Sequence, residues 1–394
     1  MTEPLRGSST LLRRFAGPEA DELAILCRSE DSSKGPAAEA EAAYRSLAAR
    51  LAAEQASFQD VVSETLFLRD VGRDLPSVLE SRARVLAAVV QGSSAPRPAF
   101  IQHAPISGGA IELAAGALIP RRRDAWTVRD VMAAPSCSCA GCAQSAARLV
   151  RLGDQTSLYS TLIHGTGGDA FAQARDMFDA AERLLARCDL GFRDVIRTWI
   201  YLRDIDRDYD ALNRARREFF QRHGLDPRPA STGVQGVPFP TEHDFSIRLQ
   251  AVRSARSLTV ATMSTPTLNE AWSYGADFSR GLRVADANNV TLHISGTASI
   301  DEAGRTVHVG DVAAQGERML HNIATLLAGQ GATFADLVSG VLYLKRLEDG
   351  PVLHALCRER GFDGFPCAVV EAPLCRPELL CEAEAIAMLP FSSA

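Results

Sequence analysis

Phe192-Arg193-Asp194-Val195-Ile196, followed three residues later by Ile200-Tyr201-Leu202-Arg203, is the stretch that decides the fold, because the chain contains it three times. Phe58-Gln59-Asp60-Val61-Val62 leads to Leu66-Phe67-Leu68-Arg69, and Phe334-Ala335-Asp336-Leu337-Val338 leads to Leu342-Tyr343-Leu344-Lys345, with identical internal spacing. Each copy follows an alanine- and leucine-rich stretch (Ala37 to Gln55, Phe171 to Arg187, Val312 to Gln330) whose apolar residues recur at about the helical period. After each strand come a polar helical segment and a proline marker, Arg97-Pro98-Ala99, Arg228-Pro229-Ala230 and Phe365-Pro366-Cys367. A closing apolar stretch follows, as in Ile111-Glu112-Leu113 or Phe245-Ser246-Ile247-Arg248-Leu249. Strand pairs are read ahead of the second and third helices, around Leu149 to Ile163 and Leu258 to Ile300, with a plainer lead-in around Leu23 to Cys27.

Each unit therefore reads as two strands, helix, strand, helix and closing strands. The fold class is α/β of the α+β kind, a mixed sheet with helices on one face of each unit. The bare faces of three sheets must be buried, and packing them about a pseudo-threefold axis within one chain achieves this. The expected organisation is a first repeat over 1–125, a cysteine-containing linker over 126–145, a second repeat over 146–253 and a third over 254–394. A monomer with internal pseudo-threefold symmetry is the expected particle.

Composition narrows the function classes. The chain has 394 residues, 46% hydrophobic and 23% charged, as expected of a soluble globular protein of two or three domains. A net charge of -6 leaves no footprint for nucleic acid. The run Arg121-Arg122-Arg123 lacks interleaved aromatics and reads as a solvated linker. The N-terminus carries no apolar leader and no apolar run approaches a membrane span, so a cytoplasmic protein without a membrane partner is expected. Nine cysteines, an odd number in a chain with ample core, point to reduced thiols. Cys137, Cys139 and Cys142 cluster, but a metal needs a fourth ligand that neither His103 nor His164 can be assigned to, so no metal and no cofactor are expected.

The units resemble the Rid (YjgF) family in their Phe-x-Asp motif, Leu-Tyr-Leu-basic strand and Pro-Ala turn. That resemblance implies the trimeric Rid arrangement fused into one polypeptide, with ligand sites in three non-equivalent clefts. Over residues 190 to 390 the resemblance narrows. Thr198-Trp199-Ile200-Tyr201-Leu202, the Pro-Ala-Ser-Thr-Gly run ending at Gly233, Phe278-Ser279-Arg280, Ile294-Ser295-Gly296-Thr297-Ala298, His308-Val309-Gly310-Asp311 and Cys375-Arg376-Pro377-Glu378-Leu379-Leu380-Cys381-Glu382 are similar to the chorismatases. These proteins of Rid-like fold remove the enolpyruvyl group of chorismate as pyruvate. The family's Tyr-Gly-Pro-Arg is here Tyr274-Gly275-Ala276-Asp277, an acid in place of a basic contact, and the complete first repeat is additional.

The chemistry centres on Glu382. Leu374 to Glu382 reads as a loop running into an apolar strand, and a carboxylate desolvated there gains proton affinity and can serve as a general acid. Period-two spacing to Glu384 also fits a wet sheet face, so two readings stand for Glu382. The resemblance implies that Glu382 is the acid, with Gly296 and Cys375 the small residue and thiol of 3-hydroxybenzoate-forming members. It implies a small-molecule carboxylate substrate, with Arg280 as carboxylate partner. Arg376, Tyr274, Tyr201 and Ser295 complete the expected binding set, whereas Asp311 is expected to cap the following helix. Two other functions remain open: the enamine and imine hydrolysis of single-domain Rid enzymes, and ligand binding or pathway scaffolding without catalysis. The first needs an arginine after Pro-Ala, where this chain has Phe100, Ser231 and Ala368.

Overall fold

The thrice-repeated aspartate has a local task that explains its fixed spacing. Asp60, Asp194 and Asp336 each close a short turn by accepting the backbone N–H three residues earlier, from Ser57 at 2.9 Å, Gly191 at 2.7 Å and Thr333 at 2.8 Å. The strand begins at the next residue, so the motif sets where each central strand starts. Asp70 and Asp204 then cap the helix after that strand, and Asp169 and Asp311 cap the helix before it in the second and third units.

The computed structural model describes residues 8–29, 32–90, 95–133, 146–239, 241–256, 258–270 and 277–391. The first unit runs β1 (Ser8–Ala16), β2 (Ala20–Ser29), α1 (Pro36–Ala53), β3 (Val61–Leu68), α2 (Val71–Val89), β4 (Ala99–Gln102) and β5 (Ile111–Pro120). The second comprises β6 (Trp126–Met132), β7 (Ala146–Leu152), β8 (Gln155–Ser160), β9 (Ile163–His164), α3 (Ala170–Ala186), β10 (Val195–Leu202), α4 (Ile205–His223), β11 (Ala230–Gln235), β12 (Val237–Pro238) and β13 (Phe245–Ser254). The third comprises β14 (Thr259–Thr262), β15 (Gly281–Ala285), β16 (Asn289–Ala298), α5 (Val312–Ala328), β17 (Leu337–Leu344), α6 (Gly350–Arg360), β18 (Cys367–Glu371) and β19 (Cys381–Pro390).

Three mixed sheets result, ordered β1-β2-β5-β3-β4-β12, β11-β10-β13-β8-β7-β6 and β14-β15-β16-β19-β17-β18. In each, the strand before the second helix pairs in parallel with the strand after it, as a helical crossover requires: β3 with β4, β10 with β11, β17 with β18. Registers repeat as well. Phe67 lies opposite Glu112, Tyr201 opposite Ser246 and Tyr343 opposite Glu382.

Strand ends interlock the units. β12 of the second unit adds to β4 of the first, Ile106 N–H donates to Val369 at 2.9 Å, and Gln235 N–H donates to Pro373 at 3.0 Å. At the centre the equivalent rings Phe67, Tyr201 and Tyr343 surround His103, with centroids 6.2, 5.8 and 5.7 Å from its ring. His103 Nε2 donates to the Gln235 carbonyl at 2.7 Å, and burial pushes its pKa down to about 4, so it stays neutral.

Two expectations change. Residues 126–132, read as the start of a linker, form β6, because their alternating pattern lets them pair antiparallel with β7. Arg121 and Arg123, read as solvated, pair with the buried carboxylates of Asp21 and Asp60, which need cations once removed from water. Cys137, Cys139 and Cys142 fall outside the described residues, and His103 and His164 are packed, the latter stacked on His243. Among the described residues no helix is long and apolar enough to cross a membrane.

The second and third units are joined by a buried ion pair. Arg197 Nη2 on β10 lies 2.7 Å from Glu384 Oε2 on β19, and both side chains are below a tenth exposed. Removing the carboxylate leaves a buried guanidinium uncompensated, so Glu384→Ala should destabilise the fold by about 3–5 kcal/mol. Urea unfolding monitored by circular dichroism measures this, and a change below about 1 kcal/mol contradicts it.

Candidate active site

β19 opens with Cys381-Glu382-Ala383-Glu384-Ala385, and all five residues are buried. The wet-face reading of this strand therefore fails: both faces are covered, one by the helices of the third unit and the other by the neighbouring units. Glu384 is held fixed, accepting from Arg197 at 2.7 Å and from Trp199 Nε1 at 2.7 Å. Glu382, two residues earlier on the same face, instead lines a cleft of about 540 Å³ between the second and third units.

The cleft sets the protonation state of this acid. Burial, and then the negative charge of Glu384, raise the Glu382 pKa to about 8, against the opposing pull of Arg280, Arg197 and Arg376. At neutral pH the group carries its proton. A carboxylic acid held this way can donate that proton to a bound molecule.

Around the acid the cleft is cationic. Arg280 and Arg376 line the third-unit wall, and Arg214, Arg216 and Arg217 of α4 line the opposite wall. Arg280 is oriented by donation from Nε to the Asn269 carbonyl at 2.9 Å, and Arg376 by donation to the Gly304 carbonyl at 2.8 Å. Arg216 donates to Asn213 Oδ1 at 2.6 Å, and the Phe278 ring lies under both Arg216 and Arg280, 5.4 and 5.6 Å from their guanidinium carbons. Five guanidinium groups, against Asp210 as the other carboxyl lining the cleft beside Glu382, suit a ligand bearing carboxylates.

Gly296 sits at a register shift of β16, and a Cβ there would overlap the Glu382 carboxylate. Glycine is needed so that the acid can occupy its position, which places the requirement on the acid before any ligand arrives. Its N–H donates to Thr232 Oγ1 at 3.0 Å, the same hydroxyl that accepts from Arg197 at 2.6 Å. Cys375 also lines the cleft, and burial, reinforced by Glu382, pushes its thiol up to about 12. It is a protonated thiol near Glu382, partnered by Tyr209, and no nucleophile at neutral pH.

The expected set is thus divided. Glu382, Gly296, Cys375, Arg280 and Arg376 come together in the cleft. Ser295 stands just behind it, donating to the Ser279 carbonyl at 2.6 Å and accepting from Ser231 N–H at 2.8 Å, so it ties the two units together. Tyr201 faces the axis with His103, because its strand position points inward. Tyr274 lies outside the described residues. Asp277, the acid in the altered run, pairs with Arg228 at 2.7 Å.

The sequence reading passed over the α4 wall: Tyr209, Asn213, Arg214, Arg216 and Arg217. The available signal was helical spacing, since Tyr209, Asn213, Arg216 and Arg217 fall on one face, with three arginines within four residues. Among the described residues no cluster of three or more His, Cys, Asp or Glu side chains could hold a metal.

A family model described as endoribonuclease L-PSP matches residues 158–253 and 271–389. The chain is 27% identical over 230 residues to a 3-hydroxybenzoate synthase of Streptomyces hygroscopicus, a match covering 51% of this chain and 65% of that protein. It is 29% identical over 224 residues to a chorismatase of Streptomyces rapamycinicus, covering 50% of this chain and 65% of that one. The matched part thus spans under two thirds of either relative. A crystal structure of a chorismatase superposes with a TM-score of 0.60 at 19% identity, covering 84% of this chain and 93% of that chain, and the fold is shared.

The raised pKa of Glu382 links its protonation to stability. A carboxyl whose folded pKa lies above its unfolded value of 4.5 stabilises the fold below pH 4.5, and that contribution is lost as pH rises through about 8. Glu382→Gln keeps the shape without the ionisation, so its stability relative to wild type should climb steadily between pH 5 and pH 8. Chemical denaturation across this range reads the difference, and a gap that stays constant contradicts the buried acid.

Proposed function

The chain belongs to the endoribonuclease L-PSP family, the Rid (YjgF) family of the motifs above, and we propose that it is an enzyme removing the enolpyruvyl group of chorismate or a close analogue. The observation that carries this reading is Glu382, a carboxyl with a pKa of about 8 that lines an arginine-rich cleft. The relatives named for chorismatase and 3-hydroxybenzoate synthase activity support it over half of the chain.

In this reading the substrate carboxylates pair with the cleft arginines, with Arg280 and Arg376 on one wall and Arg216 and Arg217 on the other. Glu382 transfers its proton to the terminal methylene of the enol ether, and the electron pair of the double bond forms the new C–H bond. The ether carbon becomes oxocarbenium-like, and the Glu382 carboxylate left behind lies near it to offset the charge. Attack by water, or by a hydroxyl of the substrate ring, gives a ketal-type adduct. Collapse of the water adduct breaks the bond from that carbon to the ring oxygen and releases pyruvate. With water as the trap one water is consumed and a non-aromatic diol remains. With the ring hydroxyl as the trap the same carbon is bonded to two ring oxygens. Loss of the proton from the ring carbon bearing the ether oxygen forms the aromatic double bond, and the hydroxyl-derived oxygen leaves its ring carbon to become the pyruvate carbonyl oxygen. The ether oxygen stays on the ring as a hydroxyl, so no water is consumed and 3-hydroxybenzoate and pyruvate result.

The second route is the expected one. Cys375 remains a thiol beside Glu382 and Tyr209, so it can donate to and accept from a migrating proton without competing as a nucleophile. Hydrolysis of enamines and imines ranks behind it: the residue after the proline marker in this cleft is Ser231, and Arg228, on the other side of the proline, is paired with Asp277.

Glu382→Gln should lower pyruvate release from chorismate by about a hundredfold to ten-thousandfold while leaving ligand binding within about threefold. A coupled pyruvate assay with calorimetric titration tests this, and unchanged turnover removes Glu382 from the reaction. Chromatography of the wild-type reaction should give 3-hydroxybenzoate plus pyruvate, and Cys375→Ala should shift product toward the diol. Gly296→Ala should instead lose activity on both routes, because its methyl displaces the acid. A wild-type reaction yielding mainly the diol contradicts the product assignment.

A further inference from the structure

We infer that the axis of the molecule holds a second ligand site, a chamber that binds a small oxyanion or short carboxylate between Arg197 and Arg248. The chamber, about 200 Å³, shares no lining residue with the Glu382 cleft. All three units contribute to it: Thr65 from the first, Arg197, Trp199 and Arg248 from the second, His293 and Glu384 from the third.

Its polar groups are matched to an anion and short of one. Arg197 is 1% exposed and uses one arm for Glu384 and Thr232, while its other terminal nitrogen, Nη1, is buried with no protein partner. Arg248 donates to Thr65 Oγ1 at 2.6 Å and forms no ion pair among the described residues. Both guanidinium carbons lie close to the Trp199 ring, 4.9 and 4.8 Å from its centroid. His293 is 1% exposed, and neither ring nitrogen has a partner. Burial and the charge of Arg197 push its pKa down to about 3, so it presents one N–H donor.

Two guanidinium charges therefore share one carboxylate, Glu384, whose oxygens are already engaged by Arg197 and Trp199. The other acid of the chamber, Glu22, accepts from Asn288 and Asn289, and burial beside Asp286 raises its pKa to about 7, which weakens its claim on the arginines. Arg248 is partly buried and has no counter-charge of its own among the described residues, and an anion between Arg197 and Arg248 would satisfy that charge together with the buried, open Nη1 of Arg197. Entry is available through an outer vestibule of about 310 Å³ that shares Glu22, Tyr159, Gln250, Thr291 and His293 with the chamber.

Crystals of the full chain soaked in sodium selenate, with anomalous diffraction at the selenium edge, locate the anion directly. The expected result is a peak within hydrogen-bond distance of Arg197 and Arg248. Calorimetric titration with sodium sulfate should give affinity at least about tenfold weaker for Arg248→Gln than for wild type, the loss expected for a charge-assisted hydrogen bond. Thermal melts confirm that the variant folds, and if it does not, the wild-type selenate map decides alone. An empty axis, selenate confined to the Glu382 cleft or the surface, or a peak whose sulfate affinity is unchanged by Arg248→Gln, an adventitious ion only, overturns the site.

Discussion

The buried pair between Arg197 and Glu384 is the interaction on which the cleft depends. Stripping both groups of water is expensive, and the cost is offset only because each has further partners: Thr232 for the arginine and Trp199 for the carboxylate. These bonds fix β10 and β11 of the second unit against β19 of the third, and Thr232 extends the connection to the Gly296 N–H. The same carboxylate then acts electrostatically on its neighbour. The charge of Glu384, two residues away, adds to burial in keeping the proton on Glu382. One structural ion pair thus both joins the units and tunes the acid between them.

Fusing three units in one chain lets equivalent positions diverge. The strand position held by Glu382 is held by Glu112 in the first unit and Ser246 in the second, as their registers opposite Tyr343, Phe67 and Tyr201 show. Ser246 has no proton chemistry comparable to a carboxyl. Glu112 is buried and its pKa is raised to about 7, but Arg28 stands 3.3 Å away in the place that Ala298 takes beside Glu382. An acid set beside an arginine gives up its proton more readily than one set beside alanine. The wall across from Glu382 is that of α4, and it gathers arginines around a neutral acid.

The thrice-repeated turn and strand were legible because they are local: an aspartate closing its own turn and an apolar strand three residues later leave a pattern that needs no tertiary knowledge. Glu382, Arg280, Gly296 and the Cys375 loop were legible through the family resemblance. What could not be read depends on contacts far apart in sequence. Glu384 looked like a wet-face residue because period two reports which residues share a face and says nothing about what covers it. Arg121 and Arg123 looked solvated because their buried partners, Asp21 and Asp60, are distant in the chain. The α4 arginines read as an ordinary polar helix face until the third unit closed over them. Tyr201 faces the axis, because the strand motif builds the centre of the molecule and leaves the cleft to neighbouring elements.

Proton transfer from Glu382 to the methylene carbon would leave its record in the pyruvate methyl group. In D₂O the exchangeable carboxyl carries deuterium, so each turnover of chorismate should place one deuteron in the methyl of pyruvate. Proton NMR of pyruvate trapped as it forms, before the methyl can exchange with solvent, measures this. Wild type should release CH₂D-pyruvate, and Glu382→Gln almost none of any kind. Pyruvate with an unlabelled CH₃ group, or labelled product formed at the wild-type rate by Glu382→Gln, would contradict proton transfer from Glu382.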